Sequence, residues 1–161
     1  LLMTQVSSAQ GDEDAAAEAS PQPIGIHGAS HLLGRTTFGA PLEELQMYAA
    51  LTRAEAVKML LGTLVTESTT PLPSWAKYLP PDIAKLRGKT EQSRKAFQKD
   101  SRRWRTELRS WWTRELISSP SPLTERLVLM WHGHFTSELT KVRSSQAMLR
   151  QNQMFRRLGS G

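Results

Sequence analysis

The sequence predicts an all-α fold, in the form of an irregular multi-helix domain. Two observations support this prediction: apolar residues recur at helical spacing in several segments, and helix-capping residues precede those segments. In addition, no pair of alternating strand patterns flanks a hairpin turn, and no internal repeat is visible. With 161 residues, 39% of them apolar and 22% charged, the chain is long enough for one domain with a hydrophobic core.

The composition excludes several classes of protein. The sequence contains no cysteine, which rules out disulfides, thiolate metal sites, iron–sulfur clusters and cysteine nucleophiles. It also contains no run of 18 apolar residues, so no transmembrane span is predicted. Lysine and arginine number 21 against 15 acidic residues, which gives a net charge of +6.

Residues 1–23 are predicted to precede a helical domain that spans residues 24–161. Leu1–Val6 is a short apolar stretch, and small residues lead from it to Ala9, as in the tail of a secretory signal peptide cleaved at that point. Residues 12–23 are acidic, rich in alanine and end in Pro-Gln-Pro, which is typical of a flexible lead-in. The pattern predicts an exported protein, periplasmic or extracellular. A disordered leader with no targeting role is the alternative.

Three short helices are predicted in the first part of the domain. The first covers Gly25–Arg35, and the Gly- and Pro-containing segment Thr36–Pro41 ends it. Pro41 then occupies a position where the second helix can begin, with acidic residues following it in the first turn. Thr52 is a good helix cap, so the third helix is expected from Thr52 to Gly62.

A proline-rich loop is predicted to follow. Thr69–Pro81 contains four prolines, which argues against regular secondary structure over this stretch. We expect Trp75, Tyr78 and Leu79 to anchor this loop to the core, because they are its large apolar side chains.

Three further helices are predicted in the second part of the domain. A long basic helix covers roughly Glu91–Ile117, and Ser118–Pro120 ends it. Ser121 followed by Pro122 is a strong start signal for the next helix. The last helix runs from about Ser144 to Leu158.

Positive charge is concentrated in residues 85–114, which hold eleven bases against three acids. Such a stripe, with tryptophans interleaved, can dock nucleic acid or another polyanion. The alternative is a helix with a solvated basic face and a tryptophan-lined buried face, and the apolar spacing favours it. No recognised nucleic-acid motif accompanies the stripe, so nucleic acid is not favoured, whereas an anionic polymer stays open. The residues that fall on one side are Phe97, Trp104, Leu108, Trp111, Trp112 and Leu116.

Two histidines, His132 and His134, make the segment around them the strongest candidate for chemistry. On a helix, residues two apart differ by about 200° and point to opposite sides, whereas on a strand both would share a face. Glu138 lies four residues after His134, a spacing that suits two ligands of one metal, an acid/base pair or an ordinary hydrogen bond on a helix surface. A histidine among apolar residues is also often a hydrogen-bonded core residue.

A second histidine pair, His27 and His31, lies in the first predicted helix. The four-residue spacing allows a shared helix face, although Gly25 and Gly28 weaken that helix. Arg35 follows His31 by one turn and is a candidate anion ligand or ion-pair partner, or else an ordinary surface arginine. No phosphate-binding glycine loop, serine elbow or zincin motif is present.

Two blocks of the sequence resemble the N-terminal part of a bacterial family, the domain of unknown function 1800. Members combine a His-Leu-Leu-x-Arg start with a later Trp-His-x-His-Phe block, and the resemblance covers about residues 30–159. Two features differ: Gly133 stands where members commonly have Asn, and members continue into a second half that carries further carboxylates. The matching residues are His31, Leu32, Leu33, Arg35, Phe38, Gly39, Pro122, Leu123, Glu125, Arg126, Trp131, His132, His134, Phe135, Lys141, Val142, Leu149, Arg150, Gln151 and Asn152.

The resemblance implies an exported, largely helical protein with a histidine-centred site, and it leaves the reaction open. Members usually occur beside a second exported protein, which implies a protein partner in the cell envelope. The resemblance also implies that this chain is the N-terminal portion of a larger helical protein, whose second half completes the site.

Three functional hypotheses follow, and the sequence leaves open whether the protein is an enzyme. The first is a metal-dependent or acid/base enzyme that uses His132, His134 and Arg35 as catalytic residues. Its cofactor would be a divalent or redox metal, with His31, His132, His134 and Glu138 as candidate ligands. The second is a cell-envelope binding module that uses the basic helix. The third is an N-terminal fragment whose helices pack on a second half.

Overall fold

A computed structural model describes residues 22–80, 90–135 and 139–159, and it confirms the all-α class. The described residues contain no β-strand, and their one extended pairing is an isolated bridge between Pro23 and Thr52. Within the same ranges, no helix has the length and apolar character that crossing a bilayer requires. The helices are α1 (Gly25–Thr36), α2 (Leu42–Ala49), α3 (Arg53–Leu61), a 3₁₀ turn (Ser74–Lys77), α4 (Glu91–Ser118), α5 (Pro122–His134), α6 (Leu139–Val142) and α7 (Ser145–Leu158).

Side-chain caps start four of these helices. Thr52 caps α3, as the sequence predicts, and forms a reciprocal capping box with Glu55. The Ser121 hydroxyl accepts from the backbone N–H of the third residue of α5, and Ser144 does the same for α7. Thr90 caps α4 in the same way. These caps satisfy backbone donors that would otherwise lack partners.

The N-terminal helices pack around a first apolar cluster. Its buried members come from α1, α2, α3 and the start of α5, so α5 contributes to the same core as the short helices. The backbone N–H of Ile24 donates to the Leu51 carbonyl at 2.8 Å and ties the entry of α1 to the segment before α3. The buried members are Ala29, Leu33, Tyr48, Ala56, Leu60 and Leu123.

The second apolar cluster joins α4 and α7 to the proline-rich loop. Trp75, Leu108, Trp111 and Leu149 are its buried members, and Trp104 packs against them. The tryptophans of the basic helix are therefore core residues, which confirms the interpretation that the apolar spacing favours. As a consequence, the basic side chains of α4 are exposed, except that of Arg105, which is partly buried.

The loop is anchored differently from the prediction. Trp75 is buried and donates its indole N–H to Glu107 at 2.6 Å. Tyr78 is half-exposed, and its ring lies 6.2 Å from that of Trp104 at the edge of the second cluster. Leu79 is 78% exposed, so the expectation that it also anchors the loop is wrong. The 3₁₀ turn has four residues and directs the Trp75 side chain inward, whereas Tyr78 and Leu79 follow the turn.

Candidate functional site

The centre of the helical assembly contains a fully buried ion pair between Glu125 and Arg156. Both side chains are 0% exposed. The Nε and Nη2 groups of Arg156 donate to Oε1 of Glu125 at 3.0 and 2.6 Å, and the Trp112 indole N–H donates to Oε2 at 3.3 Å. The three residues come from α5, α7 and α4, so the ion pair joins all three helices.

Local sequence favours this placement of both charges. Glu125 lies in the first turn of α5, and Arg156 lies in the last turn of α7. Each charge therefore has the sign that the dipole of its own helix stabilises. The Arg156 guanidinium also lies 5.8 Å from the centre of the Trp111 ring, within the range of a cation–π contact.

The ion pair continues through Asn152 to His132. The Nη1 group of Arg156 donates to Oδ1 of Asn152 at 2.9 Å, and Nδ2 of Asn152 lies 3.3 Å from Nε2 of His132. Because a guanidinium can only donate, the amide oxygen must face Arg156 and the amide NH₂ must face His132. Nε2 of His132 is therefore an acceptor, and the neutral ring carries its proton on Nδ1.

The surroundings of His132 also favour its neutral form. Its ring lies between the rings of Trp112 and Phe155, with centroid distances of 4.7 and 5.0 Å. Burial lowers the pKa of His132 below 6.5, and the positive charge of Arg156 lowers it further. A protonated Nε2 would additionally place one N–H group against the NH₂ of Asn152.

The Nδ1 atom of His132 carries the remaining N–H donor of the ring. It forms no hydrogen bond with any described residue. Every fully buried side-chain nitrogen or oxygen among the described residues has a hydrogen-bond partner. The arrangement thus presents one N–H donor at a fixed place on a ring of fixed tautomer.

Two carboxylates share the charge of Arg156, and their pKa values move in opposite directions. Burial raises the pKa of Glu125 and the nearby charge of Glu115 adds to the rise, while Arg156 opposes it. Burial also acts to raise the pKa of Glu115, but hydrogen bonds from Thr70 and Thr69 outweigh it and leave that pKa lowered. The backbone N–H groups of Thr69 and Thr70 donate to Glu115 at 2.8 and 2.7 Å.

The structure places His132 in this buried network and His134 outside it. His134 is exposed at the end of α5, with its ring edge-on to Trp131 and Phe135. The two imidazoles contact different rings, as expected for positions two apart on a helix. Arg35 is exposed on α1 and forms no hydrogen bond or ion pair with the described residues. Among the described residues no hydrogen bond or ring contact joins Arg35 to either histidine, and the catalytic set stays a prediction.

The predicted metal-ligand set stays a prediction. His31 is exposed on α1, whereas His132 and His134 lie on α5, and Glu138 lies outside the described residues. Within the described ranges, no three His, Asp or Glu side chains come together as a group able to hold a metal ion.

Sequence reasoning missed the two residues of α7 that orient His132. Asn152 and Arg156 are four apart and follow Leu149 by three and seven residues, so all three share the buried face of α7. Polar residues on an otherwise apolar helix face are a signal of buried partners, because such groups are buried only when they are hydrogen-bonded. That signal was present in the sequence.

Comparison with known proteins identifies the family. No curated protein and no solved structure matches the chain. A family model described as "Protein of unknown function (DUF1800)" matches residues 31–161, and this range includes every residue of the buried network. The chain belongs to the DUF1800 family.

Proposed function

We propose that this protein is an enzyme in which His132 donates a hydrogen bond from Nδ1 to a substrate oxygen. The observation that supports the proposal is the relay from Glu125 through Arg156 and Asn152 to His132, because it fixes both the tautomer and the charge of the ring. A neutral imidazole N–H is suited to polarise a carbonyl oxygen or to stabilise the negative charge that develops on it.

The same relay favours a hydrogen-bonding role over a metal-ligand role for His132. A metal needs an unshared electron pair on the ring. Nε2 already uses its pair to accept from Asn152 at 3.3 Å. Nδ1 carries the proton in the neutral ring, so it has no free pair either.

The tautomer is tested with an Asn152→Asp variant. A carboxylate at this position accepts where the amide donated, so His132 should become protonated on Nε2 and its pKa should rise. Gln153→Glu adds the same charge one residue further along α7 and should leave the ring unchanged. Long-range ¹H–¹⁵N NMR reads which ring nitrogen carries the proton. A wild-type ring protonated on Nε2, or an Asn152→Asp ring identical to wild type, would contradict the proposal.

The activity is tested on p-nitrophenyl acetate, an ester whose carbonyl oxygen becomes negative during hydrolysis. Loss of one donor to such an oxygen lowers the rate by about 10²- to 10³-fold. We expect that loss in His132→Phe, while His27→Gln, which removes an exposed imidazole of α1, keeps the wild-type rate. Equal rates for the two variants would argue against a catalytic His132.

A second candidate function is favoured by the exposed face of α4. Five of its bases are exposed and form no ion pair with described residues. Such charges can neutralise an anionic polymer in the cell envelope and release its counterions. The five are Arg94, Lys99, Arg102, Arg109 and Arg114.

Heparin serves as the probe polyanion for this function. Arg102 and Arg109 lie seven residues apart on one face of α4, so Arg102→Gln/Arg109→Gln should weaken binding and reduce its salt dependence by about two units of log–log slope. The control Lys58→Gln/Arg157→Gln removes two exposed charges elsewhere and should bind as wild type. Binding that is absent, or insensitive to salt, would eliminate this function.

We further propose that the protein is exported, from the apolar and small residues that lead to Ala9. N-terminal sequencing of the mature protein, isolated from the cells that produce it, should then begin at Gln10. A mature chain that retains Leu1–Val6 would contradict processing at this position.

A further inference from the structure

A groove runs between α1 and α3, away from the buried network. Its volume is about 590 Å³, within the range of 300–1,000 Å³ that is typical of small-molecule pockets. It is lined by residues of α1, of α3 and of the segment that enters α1. The lining residues are Gln22, Pro23, Ile24, Gly28, His31, Leu32, Arg53 and Ala56.

The floor of the groove is apolar and is formed by small residues. Ala56 is fully buried, and Ile24 and Leu32 flank it as partly buried side chains. Gly28 presents no side chain, and a Cβ built there would lie 3.0 Å from Cβ of Ile24. Gly28 therefore lets the Ile24 side chain pack closely against α1.

The rim of the groove carries the side chains of Arg53 and His31, which have no partner among the described residues. Arg53 and His31 are exposed, and neither forms a hydrogen bond or ion pair with the described residues. None of the lining residues is acidic. Glu55, the nearest acid along α3, is held by the capping box, where it accepts from Thr52 at 2.9 and 2.7 Å.

From these observations we infer that the groove binds a small organic carboxylate with an apolar body. The Arg53 guanidinium is placed to hold the carboxylate through two parallel N–H donors, the geometry that arginine offers and lysine lacks. His31 supplies a second donor on the same rim. The apolar body of the ligand then covers the exposed parts of Ile24 and Leu32 and leaves the surrounding water. This inference is independent of the role proposed for His132.

Three probes separate the contributions of charge and apolar contact. We expect 3-phenylpropionate to shift the backbone amide NMR signals of Gly28, Leu32 and Ala56 in a saturable way. The neutral analogue 3-phenylpropanol lacks the carboxylate, and inorganic phosphate lacks the apolar body, so each should bind at least tenfold more weakly. Equal binding of the alcohol would overturn the role of Arg53. Equal binding of phosphate would show an unspecific anion effect and would also overturn the inference.

Matched variants locate the site. Arg53→Gln should raise the dissociation constant for 3-phenylpropionate by tenfold or more. Lys58→Gln removes an equal charge from the same helix, outside the groove, and should leave the constant unchanged. Both residues are exposed, so neither variant is expected to disturb folding. Identical constants for the two variants, or shifts that do not map to the groove, would refute the assignment.

Discussion

Replacing Arg156 by Met gives the sharpest test of the buried network. Methionine keeps a long flexible side chain on α7 but removes every donor that reaches Glu125 from that helix. The Glu125 carboxyl would then remain buried between helices, and among the described residues its remaining donor is the Trp112 indole N–H at 3.3 Å. We expect a large loss of stability, because a buried carboxylate without a counter-charge is costly.

The magnitude follows from the contacts that are lost. Arg156 makes two hydrogen bonds to Glu125 and one to Asn152, and the ion pair is 0% exposed on both sides, so water does not replace them. Breaking one side of such a pair costs about 3–5 kcal/mol. That is a large fraction of the roughly 5–15 kcal/mol that stabilises a folded domain.

The loss should depend on pH with a definite sign. Burial already raises the pKa of Glu125 above 4.5 in the wild type, and removing the opposing charge of Arg156 raises it further. A group with a raised folded-state pKa gives stability that is present below its unfolded pKa and is lost as the pH rises through its folded pKa. The deficit of Arg156→Met should therefore be smaller at pH 5 than at pH 8.

Urea unfolding followed by far-ultraviolet circular dichroism measures both the loss of stability in Arg156→Met and its dependence on pH. Removing both charges of the pair at once, in Arg156→Met/Glu125→Leu, leaves Glu115 as the buried acid, still held by the backbone N–H groups of Thr69 and Thr70. This double variant should unfold within about 2 kcal/mol of wild type. If Arg156→Met alone loses less than about 1 kcal/mol at every pH, the reasoning is refuted, because the Glu125 carboxylate would then be solvated or already protonated.

Three other substitutions probe the same helices, each followed by urea unfolding. Gly133→Ala should stabilise the protein by up to about 1 kcal/mol, because a Cβ at this helical position meets nothing within 4 Å; a destabilised variant would contradict the helix there. Gly159→Ala should destabilise the protein by about 1–3 kcal/mol, because its Cβ would lie 2.7 Å from the Trp131 indole. The NMR signal of the Trp131 indole N–H should also shift, and an unchanged signal would contradict the packing. The pKa of His132 is lowered from 6.5 in the folded state, so the unfolded chain binds a proton more readily than the folded chain. The stability that the neutral ring contributes is therefore present above pH 6.5 and is lost as the pH falls. The stability difference between wild type and His132→Gln should therefore shrink between pH 8 and pH 5, and a constant difference would contradict it.

Helix boundaries could be predicted from the sequence because local chemistry determines them. Thr52 and Ser121 start helices through hydrogen bonds to backbone groups three residues away, so neighbouring residues carry the whole signal. The same locality explains why α4 ends close to the predicted position: Pro120 disfavours helical geometry in the residue before it. The basic helix also buries its tryptophans where the apolar spacing predicts.

The partners of His132 could not be predicted in the same way. Arg156 lies 31 residues from Glu125 along the chain, and Asn152 lies 20 residues from His132, so each contact depends on how α7 packs on α5. A sequence pattern shows that Arg156 is on an apolar face, but it does not show which acid it meets. The exposure of Tyr78 could not be predicted either, because an aromatic residue in a loop can lie at the edge of the core.

Stability alone does not explain why this core contains ions. An apolar pair of similar volume can hold two helices together as well as a buried ion pair does. An apolar pair cannot orient Asn152, because only the Arg156 guanidinium requires the amide oxygen to face it. Without that requirement the amide can rotate, and His132 can then take either tautomer. Arg156→Met/Glu125→Leu separates the two roles, because it should fold nearly as stably as wild type while its His132 ring loses the single Nδ1–H form. If that variant keeps the wild-type tautomer, the ion pair serves packing only, and the function proposed for His132 loses its structural support.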